Sequence, residues 1–528
     1  MKTSPRSLCS LPPGGRISRS GRPFPTENIP PRSLRTMKKT LLVLAVAASI
    51  AGCTTTPTAP PAVELPAPTI DHLELSRWWT EFDEPALNAL VDEALANNLD
   101  LQAAMARIDE ARAQVKLASA DLYPSLNLGV NASRSRVTQV GTNPLPPGFG
   151  PTGNDFRLGL DASYELDLWG KYRTATRAAQ NDLLATEYAR ETVRTAVAAA
   201  VAQTYFGLIA ADAQLQLLRD TLALREQTVT LQTDRAQAGV IGEYDLAQAR
   251  AERDAVAADI ATAERAASQF ESALAVLTGR SPRDVFTPNV VREPSLAKLL
   301  TIPTVPAGLP SDVLARRPDV RQLEKSLVAA SLRIDRARAD YFPSVSLTGA
   351  LGTESGALRH LFSGPALIWS LGAGLVQPLL GLKAIEANVD AQTARRRELV
   401  VNYQQTVQSA FRDVHDALAA NESTRRALVA QSARRENLQQ AYDLSDLRYK
   451  AGYSPYLEVL DAQRQLLQAQ TLSILAARDV RLALVDLAKA LGGGWDYRNA
   501  VEPTEGDSSA QKPAASRDDR TSGTPDNG

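Results

Sequence analysis

The chain has 528 residues and a formal net charge of −1, which argues against a nucleic-acid partner. Hydrophobic residues account for 44% and charged residues for 22%, as in an ordinary folded protein. The two cysteines, Cys9 and Cys53, supply no disulfide framework, and the three histidines, His72, His360 and His415, lack metal-ligand spacing. Since no nucleophile–base set or phosphate loop is present, we expect no enzyme, cofactor or metal site.

The N-terminal region contains a lipoprotein-like signal behind an upstream extension. Residues 1–36 are rich in Pro, Arg, Ser and Gly, and we interpret them as a mis-called extension. Residues 37–52 then form a signal peptide, with a basic start, an apolar run and the sequence Ile-Ala-Gly-Cys that ends at Cys53 and resembles a bacterial lipobox. We predict lipidation of Cys53, outer-membrane sorting because Thr54 rather than Asp follows, and a lipidated tether at 53–77. The alternative is ordinary signal cleavage with an incidental cysteine.

Helices and a strand hairpin are predicted next. Apolar residues at helical spacing indicate two helices between Trp78 and about Asp121. Two strands follow at Pro124–Ala132 and Phe156–Leu168, joined by a loop rich in Gly and Pro. Apolar and polar residues alternate along the whole second strand, which is long enough to cross a bilayer at a tilt. One face of this strand therefore suits lipid and the other suits water.

A long helical hairpin follows the strands. The first helix reaches ~100 Å at ~1.5 Å per residue and ends near Gly239. Its antiparallel partner runs from about Glu243 to Gly279, because glycine is the usual residue at a helix C-terminus. Apolar residues at heptad spacing indicate a coiled-coil seam in the first helix. The seam consists of Val201, Thr204, Leu208, Ala211, Leu215, Leu218 and Leu222.

The same unit recurs in the second half of the chain. Strands at Val345–Leu351 and Leu367–Leu375 precede a long helix that ends near Gly452 and a partner that ends near Gly492. Gly239 and Gly452 align without gaps at an offset of 213 residues, which indicates a tandem duplication. We therefore predict a first repeat at 78–282, a linker or equatorial segment at 283–310, a second repeat at 311–495 and a disordered tail at 496–528.

This arrangement predicts a conduit built from several chains. No run after residue 53 approaches the ~18 apolar residues of a transmembrane helix. Four strands cannot close a barrel around a water-filled lumen, since single-chain barrels begin at about eight strands, and open sheet edges are excluded from lipid. Several copies should therefore share one barrel, with their long helices packed into a tube in line with it. A non-transport coiled-coil envelope spacer, the structural alternative, would not need the alternating strand at Phe156–Leu168.

Three motifs give the chain a specific family resemblance. They are Trp79 with Phe82-Asp83-Glu84-Pro85 and Leu87, Ala94-Leu95 with Asn98-Leu99-Asp100-Leu101, and Leu309-Pro310-Ser311-Asp312-Val313-Leu314-Ala315-Arg316-Arg317-Pro318-Asp319-Val320. With the lipobox and the duplicated tips, they make residues 78–491 similar to the TolC-type outer-membrane efflux channel family. The similarity is to the lipoprotein branch that serves resistance-nodulation-division (RND) pumps.

The resemblance implies a mainly α fold with a transmembrane β-barrel portion. It implies a homotrimer whose twelve-stranded barrel, four strands per chain, continues into a long periplasmic α-helical coiled-coil barrel. The implied function is a passive outer-membrane exit duct for small molecules in a tripartite efflux system. Its partners would be a periplasmic adaptor (membrane fusion) protein, an inner-membrane RND transporter and outer-membrane lipid, through lipidated Cys53. A duct for protein (type I) secretion remains an alternative.

The resemblance also implies a gate at the periplasmic tip. Leu457 and Asp461 lie four residues apart on one helical face, and a ring of Asp461 side chains would favour cations. Lys450 replaces the usual arginine and lacks its bidentate fork. The implied gate residues are Leu457, Glu458, Asp461, Tyr449, Lys450 and, from the first repeat, Asp245.

Two simpler interpretations apply to the same residues. The acidic side chains could serve only to stabilise the positive end of a helix dipole, and Tyr449 could serve only to pack the tip. The turns themselves lie farthest from the outer membrane, so they are the expected docking surface for the adaptor. The docking residues are Gly239, Val240, Gly452 and Tyr453.

Overall fold

The computed structural model describes residues 76–138, 140, 150–287, 290, 292 and 316–495. The predicted extension, the signal peptide, Cys53 and the C-terminal tail at 496–528 lie outside the described residues. So does most of the predicted linker at 283–310. These predictions therefore stay as predictions.

The described residues form eight α-helices and four strands. The helices are α1 (Pro85–Asn97), α2 (Leu99–Ala120), α3 (Lys171–Gln237), α4 (Glu243–Leu277), α5 (Pro282–Phe286), α6 (Pro318–Ala339), α7 (Leu382–Lys450) and α8 (Tyr456–Ala490). The strands are β1 (Ser125–Arg136), β2 (Thr152–Leu166), β3 (Ser344–Ser355) and β4 (Leu367–Val376). Short 3-10 helices lie at Trp78–Phe82, Leu358–His360 and Gly364–Ala366.

The four strands form one antiparallel sheet in the order β1-β2-β3-β4. One row of directly paired residues across it is apolar and consists of Leu128, Leu160, Leu351 and Trp369. The side chains of this row are exposed in the single chain, Trp369 to 70%. The adjacent row points to the opposite face, because side chains alternate along a strand. It consists of Asn127, Asp161, Ala350 and Ser370. The predicted separation into an apolar and a polar face is therefore confirmed across the whole sheet.

The strands extend beyond their predicted ends. β1 continues to Arg136 because its pairing with the start of β2 continues after the apolar alternation has stopped, as in the pair Arg134 and Asn154. β3 likewise reaches Ser355, so the loop predicted to start at Thr353 begins later. Backbone hydrogen bonds need no apolar side chain, and a pattern of hydrophobicity therefore underestimates strands near solvent.

The helical hairpins agree with the predicted lengths and ends. α3 and α7 have 67 and 69 residues, and α4 and α8 have 35 each. The predicted seam of α3 is buried or half-buried along its length. Its upper part belongs to the largest core cluster, in which Val201 and Leu208 pack with Trp79, Leu87 and Val91 from the N-terminal segment.

One expectation about α3 was wrong. Among the described helices, α3 contains an 18-residue window that is apolar enough to cross a membrane by length and composition. Two-thirds of that window (67%) is buried inside the chain, which is also usual for a core helix of a soluble protein. The Ala-rich sequence around Ala198 allows this close packing, and its small residues had obscured the high mean hydropathy.

The two repeats are joined to their helical hairpins by equivalent contacts. In the first repeat, Asn98 Nδ2 donates to the carbonyl of Leu277 at 2.9 Å. In the second, Arg317 Nη1 donates to the carbonyl of Ala490, the residue 213 positions later, at 3.4 Å. Arg317 also donates to Asp319 at 2.7 Å. The described part of the long Arg-Arg-Pro-Asp motif thus joins the start of α6 to the end of α8.

Candidate functional site

The turns that join α3 to α4 and α7 to α8 have the same backbone geometry. Gly239 and Gly452 have positive φ values of 70° and 77°, which favour glycine. In both turns the next amide donates to the carbonyl five residues earlier, at 2.9 Å. The residues that follow, Val240 and Tyr453, are strongly exposed, Tyr453 to 81%. Each tip therefore presents an apolar side chain to its surroundings.

The predicted gate residues of α8 share one exposed face. Leu457 is 57% exposed, and Glu458 and Asp461 are also exposed. The opposite face of the helix is buried through Val459 and Leu460, which belong to a cluster with side chains of α3, α4 and α7. Thus α8 is anchored by one side, while the gate candidates remain available to line an opening.

The charged gate candidates do not pair with one another within the chain. Lys450 contacts Asp446, one helical turn earlier, at 2.7 Å. Asp461 accepts a hydrogen bond from Gln465 at 2.6 Å. Among the described residues, Asp245 has no ion pair or hydrogen bond to its side chain. The resemblance-based pairing across the two repeats is therefore absent from the described part of this chain.

Tyr449 both packs and forms hydrogen bonds. Its hydroxyl accepts from Arg235 Nη1 at 2.5 Å and from Gln232 Nε2 at 3.1 Å, both on α3. The Arg235 guanidinium lies 5.2 Å from the centroid of its ring, and the Tyr456 ring centroid lies 5.6 Å away. Tyr449 therefore links the hairpin of the second repeat to that of the first.

A second link, which sequence reasoning missed, is deeper in the helices. Arg225 of α3 is only 2% exposed and donates to Gln463 Oε1 of α8. Gln463 Nε2 in turn lies 3.4 Å from the Tyr442 hydroxyl of α7. Burial lowers the pKa of Arg225, against the opposing effect of neighbouring groups. A buried guanidinium that depends on one amide acceptor is costly to leave without that acceptor.

The heptad seam contained the signal for this link. From Leu218, steps of seven residues reach Arg225 and then Gln232, both of which are buried. Polar residues at such seam positions commonly specify register and partner. A third link joins the remaining helices of the tip region, since Arg464 Nε of α8 donates to Glu252 of α4 at 2.7 Å. Together the three links connect the two hairpins near their tips.

Comparison with known proteins identifies the family. The family model described as outer membrane efflux protein matches residues 90–280 and 309–493. This chain belongs to the outer membrane efflux protein family. The probable efflux pump outer membrane protein TtgC of Pseudomonas putida (strain KT2440) is 35% identical over 478 residues, which cover 87% of this chain and 96% of TtgC. The cation efflux system protein CusC of Escherichia coli (strain K12) is 34% identical over 467 residues, covering 86% and 99%.

Solved structures agree with this assignment. The crystal structure of the Campylobacter jejuni CmeC outer membrane channel superposes with a TM-score of 0.74 at 29% identity, covering 83% of this chain and 96% of CmeC. The predicted fold class is confirmed: each chain supplies four strands to a trimeric barrel that continues into long helices. The predicted outer-membrane location and the role as an efflux duct are confirmed as well. Family members are ducts rather than enzymes.

Proposed function

We propose that three copies of this chain form the exit duct of a tripartite efflux system, with a periplasmic adaptor and an inner-membrane RND transporter as partners. The sheet carries the proposal, because it has an apolar face along all four strands and a polar face behind it. In a closed barrel the apolar face meets lipid and the polar face lines water. The duct performs no bond chemistry, so transport is passive and depends on whether the tip is open.

We assign the gate to the exposed face of α8. Leu457, Glu458 and Asp461 are the side chains that three copies would bring around a common axis, and Asp461 would form an anionic ring there. Tyr449 and the Arg225–Gln463 pair hold α7 and α8 against α3 in the conformation seen here. Opening requires the second hairpin to move away from the first, and these contacts oppose that movement.

The turns are assigned to adaptor docking. Val240 and Tyr453 are exposed at equivalent positions of the two repeats, next to the glycines that form each turn. Two equivalent turns per chain would give the trimer six similar docking points. An adaptor with apolar contact residues could therefore bind repeatedly around the ring, and its binding would act directly on the helices that carry the gate.

The chain is also assigned a lipid anchor at Cys53, through the lipobox. The exported cargo is assigned only to the class of small molecules. CusC is described as a cation efflux protein, whereas TtgC, at almost the same identity, is described only by its role in an efflux pump. Similarity of the duct therefore does not determine the cargo, and we assign cargo selection to the inner-membrane transporter.

Deletion and complementation test the proposal. The deletion strain should become more sensitive to some of a panel of dyes, bile salts, antibiotics and metal ions, and the wild-type gene should restore resistance. Crosslinking in intact cells should recover the chain as a trimer with an adaptor. Unchanged sensitivity across the panel, together with recovery of the chain as a monomer, would contradict the assignment. Secretion of a protein that depends on the gene would favour the type I alternative instead.

A further inference from the structure

A large cavity lies where the helices approach the sheet. Its volume is about 890 Å³, and it is lined by α2, α3, α6 and α7 of a single chain. Its apolar surface consists mainly of alanine side chains from three helices, which leave room because they are short. These are Ala111 and Ala118 of α2, Ala175, Ala178 and Ala179 of α3, and Ala337 of α6. Cavities of this size commonly hold small organic molecules.

The cavity lies on the polar side of the sheet. Tyr172, at the start of α3, donates to Glu165 at 2.9 Å, and Glu165 belongs to the polar face of β2. Burial and the Glu165 carboxylate raise the pKa of Tyr172 to about 12, with smaller effects from Asp121 and Arg336, which line the cavity. From Tyr172, steps of three and four residues along α3 reach Ala175, then Ala179, in the cavity wall. The cavity is therefore continuous with the surface that faces the lumen.

Positive charge predominates among the side chains that line the cavity. Four arginines, Arg107, Arg333, Arg336 and Arg395, face three acidic residues. Arg333 pairs with Asp182 of α3. Within the described part of the chain, Arg107, Arg336 and Arg395 have no ion pair or hydrogen bond. The acidic residues are Glu110, Asp121 and Asp182.

The ordinary structural role of an arginine explains only one of the unpaired side chains. Arg336 lies in the last turn of α6, where the helix dipole favours a cation. Arg107 and Arg395 lie well inside α2 and α7, where that effect has faded. Three guanidinium groups from three separate helices thus converge on one apolar cavity without partners from the described chain.

We propose that this cavity is a subsite of the duct for amphiphilic organic anions, with a carboxylate or sulfonate bound by the arginines and an apolar body on the alanine surface. Guanidinium groups bind such planar or tetrahedral anions through paired hydrogen bonds. The openness of the site to the lumen keeps binding weak, as conduction requires. The inference rests on the proposed function, because it assumes that cargo passes through this lumen.

Cysteine labelling tests the electrostatic part. Gln114 lines the cavity and is exposed, so Gln114→Cys places one thiol there. The purified trimer is labelled with an anionic and a cationic methanethiosulfonate, each rate being divided by the rate with a free thiol in solution. The unsubstituted trimer measures background labelling, including any at Cys53. A unit charge about 8 Å away in water changes the local concentration of a monovalent ion about twofold. Replacing Arg336 and Arg395 with Gln should therefore lower the anion-to-cation ratio about tenfold.

Matched controls separate the cavity from general charge. Arg338→Gln combined with Arg397→Gln removes two arginines from the same helices, but neither residue lines the cavity, so the ratio should change little. Raising the salt concentration should lower the wild-type ratio, because salt screens exposed charges. This salt measurement needs no variant, and it retains the test if an arginine variant fails to assemble.

Protection identifies the ligand class. Cholate, below its micelle concentration, should slow labelling of Gln114→Cys, whereas its uncharged methyl ester should protect at least about threefold less, as expected for loss of a charge-assisted hydrogen bond. Equal protection by acid and ester, or a normalised ratio near one that ignores the arginine variants, would overturn the anion subsite and leave the duct intact. Failure of both reagents to reach the thiol in a folded trimer would instead contradict the water-filled lumen on which the proposed function depends.

Discussion

The buried pair of Arg225 and Gln463 makes a sharp prediction about stability. Gln463→Leu removes the amide oxygen that accepts from Arg225, and the guanidinium is left in a site where it is 2% exposed. Breaking a buried charged pair from one side costs about 3–5 kcal/mol. Arg225→Met removes the charge itself and leaves only a partly satisfied amide near Tyr442, so it should cost about 1–3 kcal/mol. The two single variants are therefore unequal.

The double variant distinguishes a true pair from two separate packing defects. Replacing both partners with apolar residues of similar size is often nearly neutral, so Arg225→Met with Gln463→Leu should be more stable than Gln463→Leu alone by about 2 kcal/mol. Thermal unfolding of the trimer, followed by helical circular dichroism, measures the order. Gln468→Leu, an exposed substitution on the same helix, controls for added surface hydrophobicity. If the two single effects simply add in the double variant, the pair has no special role.

The same variants report on the gate. If the Arg225–Gln463 contact exists only while α8 packs against α3, a loss of about 3 kcal/mol per chain favours the open form by about a hundredfold. Single-channel recordings in planar bilayers should then show Gln463→Leu in a state of higher conductance for most of the time. Wild-type conductance in a destabilised Gln463→Leu trimer would place the contact outside the opening movement.

Three further predictions concern single positions. Asp461→Ala should raise single-channel conductance or reduce cation preference in planar bilayers, because the proposed anionic ring is lost; unchanged recordings would remove Asp461 from the gate. Cys53→Ser should abolish incorporation of radiolabelled palmitate while the barrel still assembles, and retained label would refute the lipobox assignment. Leu371→Arg, on the apolar face of β4, should cost about 2–4 kcal/mol and lower the yield of membrane-inserted trimer. Ser370→Arg on the polar face should be tolerated, and equal yields would contradict the assignment of the faces.

The long-range repeats were predictable because they depend on local rules. Strand alternation, heptad spacing and helix-ending glycines all act within a few residues of the chain, so the tips at Gly239 and Gly452 followed from the sequence. The register of the sheet did not, because it depends on which residues meet across strands that lie far apart, such as Leu160 and Leu351. That register was found only in the structure, although it extends the predicted alternation.

The candidate site was less accessible to sequence reasoning. Tyr449 was identified through resemblance, but its partners Gln232 and Arg235 come from a helix more than two hundred residues earlier. The choice of Asp446 as the partner of Lys450 depends on side-chain geometry within one helical turn. The cavity arginines share no local pattern, since three separate helices bring them together. Convergence of this kind is a property of packing, which periodicity does not encode.

The outer strands of the sheet affect how mutations behave in cells. Within the described sheet, β1 and β4 each have a hydrogen-bonded neighbour on one side only. A lone chain therefore cannot enter lipid with its backbone groups satisfied, and ring closure and insertion must be coupled. A copy whose edge is damaged is consequently not a silent bystander: it caps a growing assembly and withdraws healthy copies with it. Edge-strand variants should accordingly be dominant-negative when co-expressed with the wild type, whereas variants that never fold should be recessive.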